Sequence, residues 1–195
     1  MGCRIEDFMS TRIDIPANQA RVKRQYFLDN YGTTLKGLEI EYGIDPLEYL
    51  SFVHDVPLDQ YIHRDEQVKS ALHSLPLPKV ILTNSDHSHT NRVLDILDLH
   101  DCFSKVIDVL DLSPFCKPAP QSFLKALDIL GNPDPKDCVL FEDNARNIQG
   151  AREIGMVTVQ VGKPEVISNS HYKIPAISDL TTLFDSNFDL IPENL

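Results

Sequence analysis

From about residue 76 onward the chain repeats one pattern: a short apolar run, a polar tip, then ~10 residues of helical periodicity. No other feature constrains the fold as strongly, because strands that alternate with helices pair in parallel and are covered by those helices. The runs expected as strands are Lys79–Thr83, Lys105–Val109, Cys138–Phe141 and Val157–Val161, with helices over 88–98, 120–130 and 145–154. Right-handed crossovers place all the strand carboxyl ends on one edge, which is where open parallel sheets bind ligands. The fold class is therefore α/β, a Rossmann-like parallel sheet with covering helices. The stretch from Ile174 to Leu195 is expected to add a last short strand and helix and then a frayed tail.

Before residue 76 the periodicity is helical: Ile5–Ile13, Asn18–Asn30, Leu35–Tyr42 and Leu47–Val53, with Gly32, Gly43 and Pro46 as stop and start signals. Residues 1–56 read as a small helical module and 57–195 as the α/β core. With 18 basic against 29 acidic residues the net charge is −11, which argues against a nucleic-acid partner held by a general basic surface. No run approaches the ~18–20 apolar residues of a membrane span, and MGCRIEDFMS lacks a basic-then-apolar leader, so no membrane partner is expected. Cys3, Cys102, Cys116 and Cys138 form no C-x-x-C pair, which fits thiols in a reducing cytoplasm.

The chemistry of the chain gathers on the expected carboxyl edge. The first strand ends in ILTNSD, presenting Thr83 and Asn84, a hydroxyl and backbone N–H groups able to grip an oxyanion; Asn, Ser and Asp are equally ordinary turn and N-cap residues. After the second strand, SPFCKPAPQSF holds Lys117 just before a helix opened by Pro120, as a partner for a phosphate or an acidic cluster, or as a solvated lysine. The third strand ends VLFEDNARN. Its adjacent Glu142 and Asp143 repel each other unless a cation intervenes, although acidic residues also favour a helix start; Asn147, one turn on, either orients them or lies on the surface. Together an oxyanion grip, a cation and an acidic pair make a phosphoryl-transfer site that lacks a nucleophile. His87 and His89 fall at a helix start, a usual place for solvated histidines.

These residues resemble the haloacid dehalogenase superfamily. ILTNS is similar to its second motif, Lys117 in CKPAP to its third and FEDNARN to its fourth. YGTTLKGL (31–38), GIDPLEYLSFVHDVPLD (43–59) and TNSDHSHTNRVLDIL resemble its pyrimidine 5'-nucleotidase branch, in which a helical insert caps the active site. His54 in FVHD belongs to this resemblance, with no chemistry that requires it. The departure concerns the first motif, a strand ending in D-x-D whose first Asp is the family's nucleophile and whose second is its general acid and base. No two aspartates here are separated by one residue, and no apolar strand precedes the helical module. That strand is central in the family's sheet, so its absence leaves a slot ~10 Å wide between the strands ending at Thr83 and Phe141. Unpartnered buried groups along the slot cost ~1–3 kcal/mol each, against a net domain stability of ~5–15 kcal/mol. The expectation is thus an N-terminally shortened form.

For the complete form the resemblance implies Mg²⁺-dependent hydrolysis of a small phosphomonoester, with a pyrimidine nucleoside 5'-monophosphate favoured. Glu142 or Asp143 would hold the metal, Thr83, Asn84 and Lys117 the transferring oxygens, and Tyr31, Thr33 and Thr34 of the cap would reach the substrate unless they serve only capping and packing. The paired acidic tip favours a phosphatase over a metal-free dehalogenase. Two alternatives remain open. One is a non-catalytic phosphate- or metal-binding remnant. The other is an interaction module whose open strand edges recruit a partner strand or a second copy.

Overall fold

The computed structural model describes residues 2–163 and 166–192. Its first four elements are helices, α1 (Gly2–Arg12), α2 (Ala17–Tyr31), α3 (Thr34–Tyr42) and α4 (Pro46–Val53). Local chemistry fixes their ends. Thr33 accepts the Lys36 N–H and opens α3, Gly43 closes it in the left-handed region at φ 65°, and Asp45 accepts the Leu47 N–H with Pro46 in the first turn of α4. One core joins the four helices through Phe8, Phe27, Leu38, Leu50 and Val53. Within it Phe8 meets Tyr49 and Phe52 edge-on, with ring centroids 5.1 and 5.4 Å away. Val109 and Cys116, from a loop beyond residue 100, belong to the same core, so the helical module is seated on the rest of the chain.

A helix absent from the expectations follows, α5 (Glu66–Ser74), with Asp65 capping the Gln67 and Val68 N–H groups. The alternating pattern then appears as read: β1 (Val80–Leu82), α6 (His87–Leu97), β2 (Lys105–Ile107), α7 (Pro120–Ile129), β3 (Val139–Glu142), α8 (Ala145–Glu153), β4 (Val157–Val161) and β5 (Tyr172–Ile174). Every pairing between these strands is parallel, and Phe184 and Leu190 form an isolated antiparallel bridge beyond them. The C-terminal expectation needs correcting: the last strand starts at Tyr172, and Ile177–Leu183 is a 3-10 helix, with residues 193–195 outside the described residues. Ala176 offers no side-chain oxygen to open an α-helix there; the Asp179 carboxylate instead folds back onto the Ala176 N–H.

The strands form two separate sheets, β1-β2 and β3-β4-β5. Among the described residues β1 is bonded only to β2 and β3 only to β4, so each has one edge with no strand beside it. The two edges face the same interior. Leu82 packs with Leu140 and Phe123, and Ile81 lies in one cluster with Val139 and Phe141.

Two arginines tie the helical module to the core. Arg92 of α6 donates to the His54 and Val56 carbonyls at 3.0 and 2.8 Å, and Arg146 of α8 donates to the Leu28 carbonyl at 2.6 Å. At the seam Gly32 (φ 85°) lies so close to the 116–118 loop that a Cβ there would sit 2.9 Å from Pro118 Cδ.

Candidate active site

Lys117 is the centre of the carboxyl edge. Its Nζ donates to the Leu82 carbonyl, the last of β1, and to Glu142 Oε2, the last residue of β3, both at 2.9 Å. One ammonium thus spans the two sheets, and the side chains of the ion pair are only 10% and 9% exposed. The surface-lysine reading is excluded by this burial. Asn84 holds the lysine in place from the main chain: its Nδ2 donates to the Lys117 carbonyl at 2.8 Å and its Oδ1 accepts the Lys117 N–H at 3.0 Å. The Asn84 amide is therefore occupied in positioning Lys117. Thr83 lies beside it, its Oγ1 accepting the Ser85 N–H at 3.0 Å, and its own hydroxyl proton is not donated to any described residue.

Glu142 is fully engaged. Oε1 accepts the Asp143 and Asn144 N–H groups, both at 3.1 Å, while Oε2 accepts Asn147 Nδ2 at 2.9 Å along with Lys117. Asn147 is thus an orienting residue for the carboxylate. Burial alone would raise the Glu142 carboxyl, but the Lys117 ammonium and the surrounding hydrogen bonds hold it below the usual carboxylate range. Asp143 is exposed and moves the other way, because its hydrogen bond to the Glu142 carboxylate, helped by partial burial and that carboxylate's charge, favours the protonated form. Asn144 caps α8 by accepting the Arg146 N–H.

The cap residues expected at the substrate use their polar groups inside the helical module. Tyr31 donates its hydroxyl to Glu41 at 2.9 Å, Thr33 Oγ1 caps α3 and lies 3.6 Å from Cys116 Sγ, and Thr34 is 3% exposed against Tyr49. Thr33 and Tyr31 both touch the Lys117 loop, Tyr31 through its carbonyl, which accepts from Cys116 Sγ at 3.5 Å.

A second cluster lies between the module and α6. His54 Nδ1 is 2.5 Å from Asp86 Oδ2, and the His54 and His89 rings stack at 4.0 Å with 20° between planes. Asp86 also caps α6 by accepting the His89 N–H at 2.8 Å. The expectation of solvated histidines at this helix start holds for exposed His87 but not for His89, which is 8% exposed because the module covers it. Burial, then the neighbouring His54, pushes His89 down to about 4; burial also lowers His54 against the pull of Asp86. Sequence reasoning left His54 without a role, since its partner lies 32 residues away; the acidic N-cap at Asp86 was the available signal.

A profile of haloacid dehalogenase-like hydrolases matches residues 12–155, which takes in α2–α4 of the helical module and every motif just described. The chain belongs to the haloacid dehalogenase-like hydrolases. Among curated relatives of this hydrolase, phosphate metabolism protein 8 of Saccharomyces cerevisiae is 25% identical over 166 residues, covering 78% of this chain and 52% of the yeast protein. The chain thus spans about half the length of that relative. A HAD phosphatase from Thermococcus onnurineus superposes with TM-score 0.57 at 20% identity, over 93% of this chain and 86% of the other. The L-2-haloacid dehalogenase of Xanthobacter autotrophicus with covalently bound chloropropionic acid gives 0.60 at 18% identity, over 93% and 91%. At these identities the superpositions establish the hydrolase fold, shared by a phosphatase and a dehalogenase alike. None of the described helices is long and apolar enough to cross a membrane.

Proposed function

We propose that this edge serves phosphomonoester hydrolysis, with a pyrimidine nucleoside 5'-monophosphate as the favoured substrate, once a carboxylate nucleophile stands between β1 and β3. The observation that carries the reading is Lys117, a buried cation held at the tips of both strands by Asn84 and Glu142. In this reading Thr83 donates its free hydroxyl proton to a phosphoryl oxygen and Lys117 balances the charge on the transferring group. The name of the yeast relative, which speaks of phosphate metabolism, agrees with this class of substrate. Residues 1–56 act as the cap over the 57–195 core, closing at Gly32 and Thr33 where the module already touches the Lys117 loop.

The donor set fits Mg²⁺ in type. Asp143 and Glu142 are hard carboxylate oxygens, and Glu142 drives Asp143 toward its protonated form, a repulsion that a cation would relieve. Asp143 would be the principal ligand, and Glu142 would serve as the second only by exchanging one of its present donors for the ion. Bound there, the ion would supply charge neutralisation between a carboxylate nucleophile and a phosphate dianion.

No described residue provides that nucleophile. Asp86 is bonded to His54 and His89, while Asp108 accepts the His87, Leu110 and Asp111 N–H groups. The decisive assay measures phosphate release from uridine 5'-monophosphate with Mg²⁺, for this chain and for one carrying an upstream apolar strand that ends in D-x-D. Turnover is expected only from the extended chain. Asp143→Asn in it should abolish turnover while leaving the melting temperature at pH 7.5 unchanged or higher. An extended chain that folds but releases no phosphate from any of a panel of phosphomonoesters would refute the proposal. The unpaired β1 and β3 edges favour one second reading, in which a partner strand or second copy enters the slot. Light scattering separates the two, since a monomeric chain opposes the partner reading.

A further inference from the structure

Far from the Lys117 edge, α5 and the 3-10 turn His100–Cys102 bring three different ligand types together. The side-chain donors of His73, Asp101 and Cys102 lie within 4.8 Å of one another. His73 Nε2 is 3.2 Å from Asp101 Oδ2 and 3.8 Å from Cys102 Sγ, and the sulfur is 3.8 Å from Asp101 Oδ1. We propose that these residues bind a transition-metal dication of the zinc class, at a site separate from the phosphoryl-transfer edge.

Ordinary zinc bond lengths and a tetrahedral angle put nitrogen and oxygen ligands about 3.4 Å apart and nitrogen and sulfur about 3.6 Å apart. The His73–Asp101 and His73–Cys102 distances differ from these by about 0.2 Å; the sulfur's near contact is to Oδ1 while the imidazole's is to Oδ2, so one turn of the half-exposed Asp101 carboxylate completes the three-donor set. The donors also choose the metal: a thiolate and an imidazole select zinc-class ions over Mg²⁺ or Ca²⁺, which prefer all-oxygen shells.

The three residues sit on supported backbone. His73 is in the last turn of α5, and Cys102 is anchored in the core beside Ala71 and Leu72 at 5% exposure. His73 and Asp101 keep 48% and 58% of their side chains open to solvent, which leaves a water-accessible fourth position. Lys69 Nζ approaches Asp101 Oδ1 at 3.4 Å, and its charge opposes the ion, so moderate affinity is expected. Burial and the Asp101 carboxylate keep the Cys102 thiol protonated in the free protein. Binding therefore exchanges the S–H bond for a metal–sulfur bond and releases that proton to solvent.

Titrating the full chain with Co²⁺ tests the site, because a cobalt–thiolate bond gives a charge-transfer band that oxygen and nitrogen ligands do not. One equivalent should produce the band, and Zn²⁺ should remove it. Cys102→Ser should abolish it with the fold intact by circular dichroism. His73→Gln, at a half-exposed position that tolerates change, should weaken binding at least ~10-fold, since even outer-sphere losses cost 10- to 100-fold. No band at excess Co²⁺, a band that persists in Cys102→Ser, or unchanged affinity in His73→Gln each overturns the proposal.

Discussion

Replacing Lys117 with Met tests whether one ammonium joins the two sheets. The substitution keeps the aliphatic stem but leaves Glu142, 9% exposed, without its counter-charge, and strips the Leu82 carbonyl of its donor. Removing one partner from a buried ion pair costs ~3–5 kcal/mol. Glu142 retains the N–H donors of Asp143, Asn144 and Asn147, which points to the lower end, and the orphaned carbonyl adds about 1 kcal/mol. A loss of about 4 kcal/mol corresponds to a fall of about 10 °C in melting temperature for a chain of this size.

The loss must also depend on pH. In the wild type the folded Glu142 carboxyl lies below its ordinary value of 4.5, so its contribution is present above that value and disappears as pH falls through the folded one. Without Lys117, burial moves the same group the other way, and protonation then relieves the variant. The gap between the two proteins should be widest near neutral pH and narrow toward pH 4. The chain has no Trp, so urea unfolding is best followed by circular dichroism. The double variant Lys117→Met/Glu142→Leu should regain more than half of the loss. A gap below about 1 kcal/mol at pH 7.5, or one that does not vary with pH, would show that Lys117 does not carry this load.

Gly150→Ala should destabilise by at least about 2 kcal/mol, because the new Cβ would stand 1.9 Å from the Pro118 carbonyl oxygen and 3.0 Å from Phe123 Cε2. An unchanged thermal melt would mean that α8 does not press on the Lys117–Pro118 backbone. His89, held down to about 4, binds a proton more readily when the chain is unfolded, so its burial favours the fold above pH 6.5 and loses that advantage as pH falls toward 4. His54, Asp86 and Arg92 face the same ring, and His89→Leu should flatten the decline in urea midpoint between pH 6.5 and 4. An identical pH profile for wild type and variant would assign the acid sensitivity elsewhere.

The elements were legible where periodicity and capping agreed. The four helices of the module and the four strands through Val161 carry these signals, and their ends shift by no more than three residues. Helix α5 was legible in principle: Asp65 is a good N-cap, and Val68, Ala71 and Leu72 make a buried stripe. Its nine residues, lying between a proline-containing loop and the Leu75–Pro78 segment, left the period short. The site was legible as residue types at strand tips, since Thr83, Lys117 and Glu142 each follow a successive strand. What those side chains bond to was not. The Asn84 clamp spans 33 residues and the His54–Asp86 pair 32, distances over which sequence periodicity carries no information. The burial of His89 depends likewise on a module folded from the other end of the chain.

The geometry gives the motif residues two kinds of work that mutational loss of activity alone would confuse. Asn84 is spent on the Lys117 backbone, Lys117 on two strand tips, and all the acceptor positions of Glu142 that the chain fills are filled by its own donors. Altering any of these disturbs the junction between the sheets before it disturbs a ligand. Thr83 keeps a hydroxyl proton, and Asp143 an exposed carboxyl whose side-chain bond is to Glu142. A phosphate and a dication need a donor and an acceptor of these types, offered from the tips of two strands whose inner edges are unpaired. Lys117 places the site, and Thr83 and Asp143 offer it the groups that stabilise least, so a substitution at these two separates chemistry from folding.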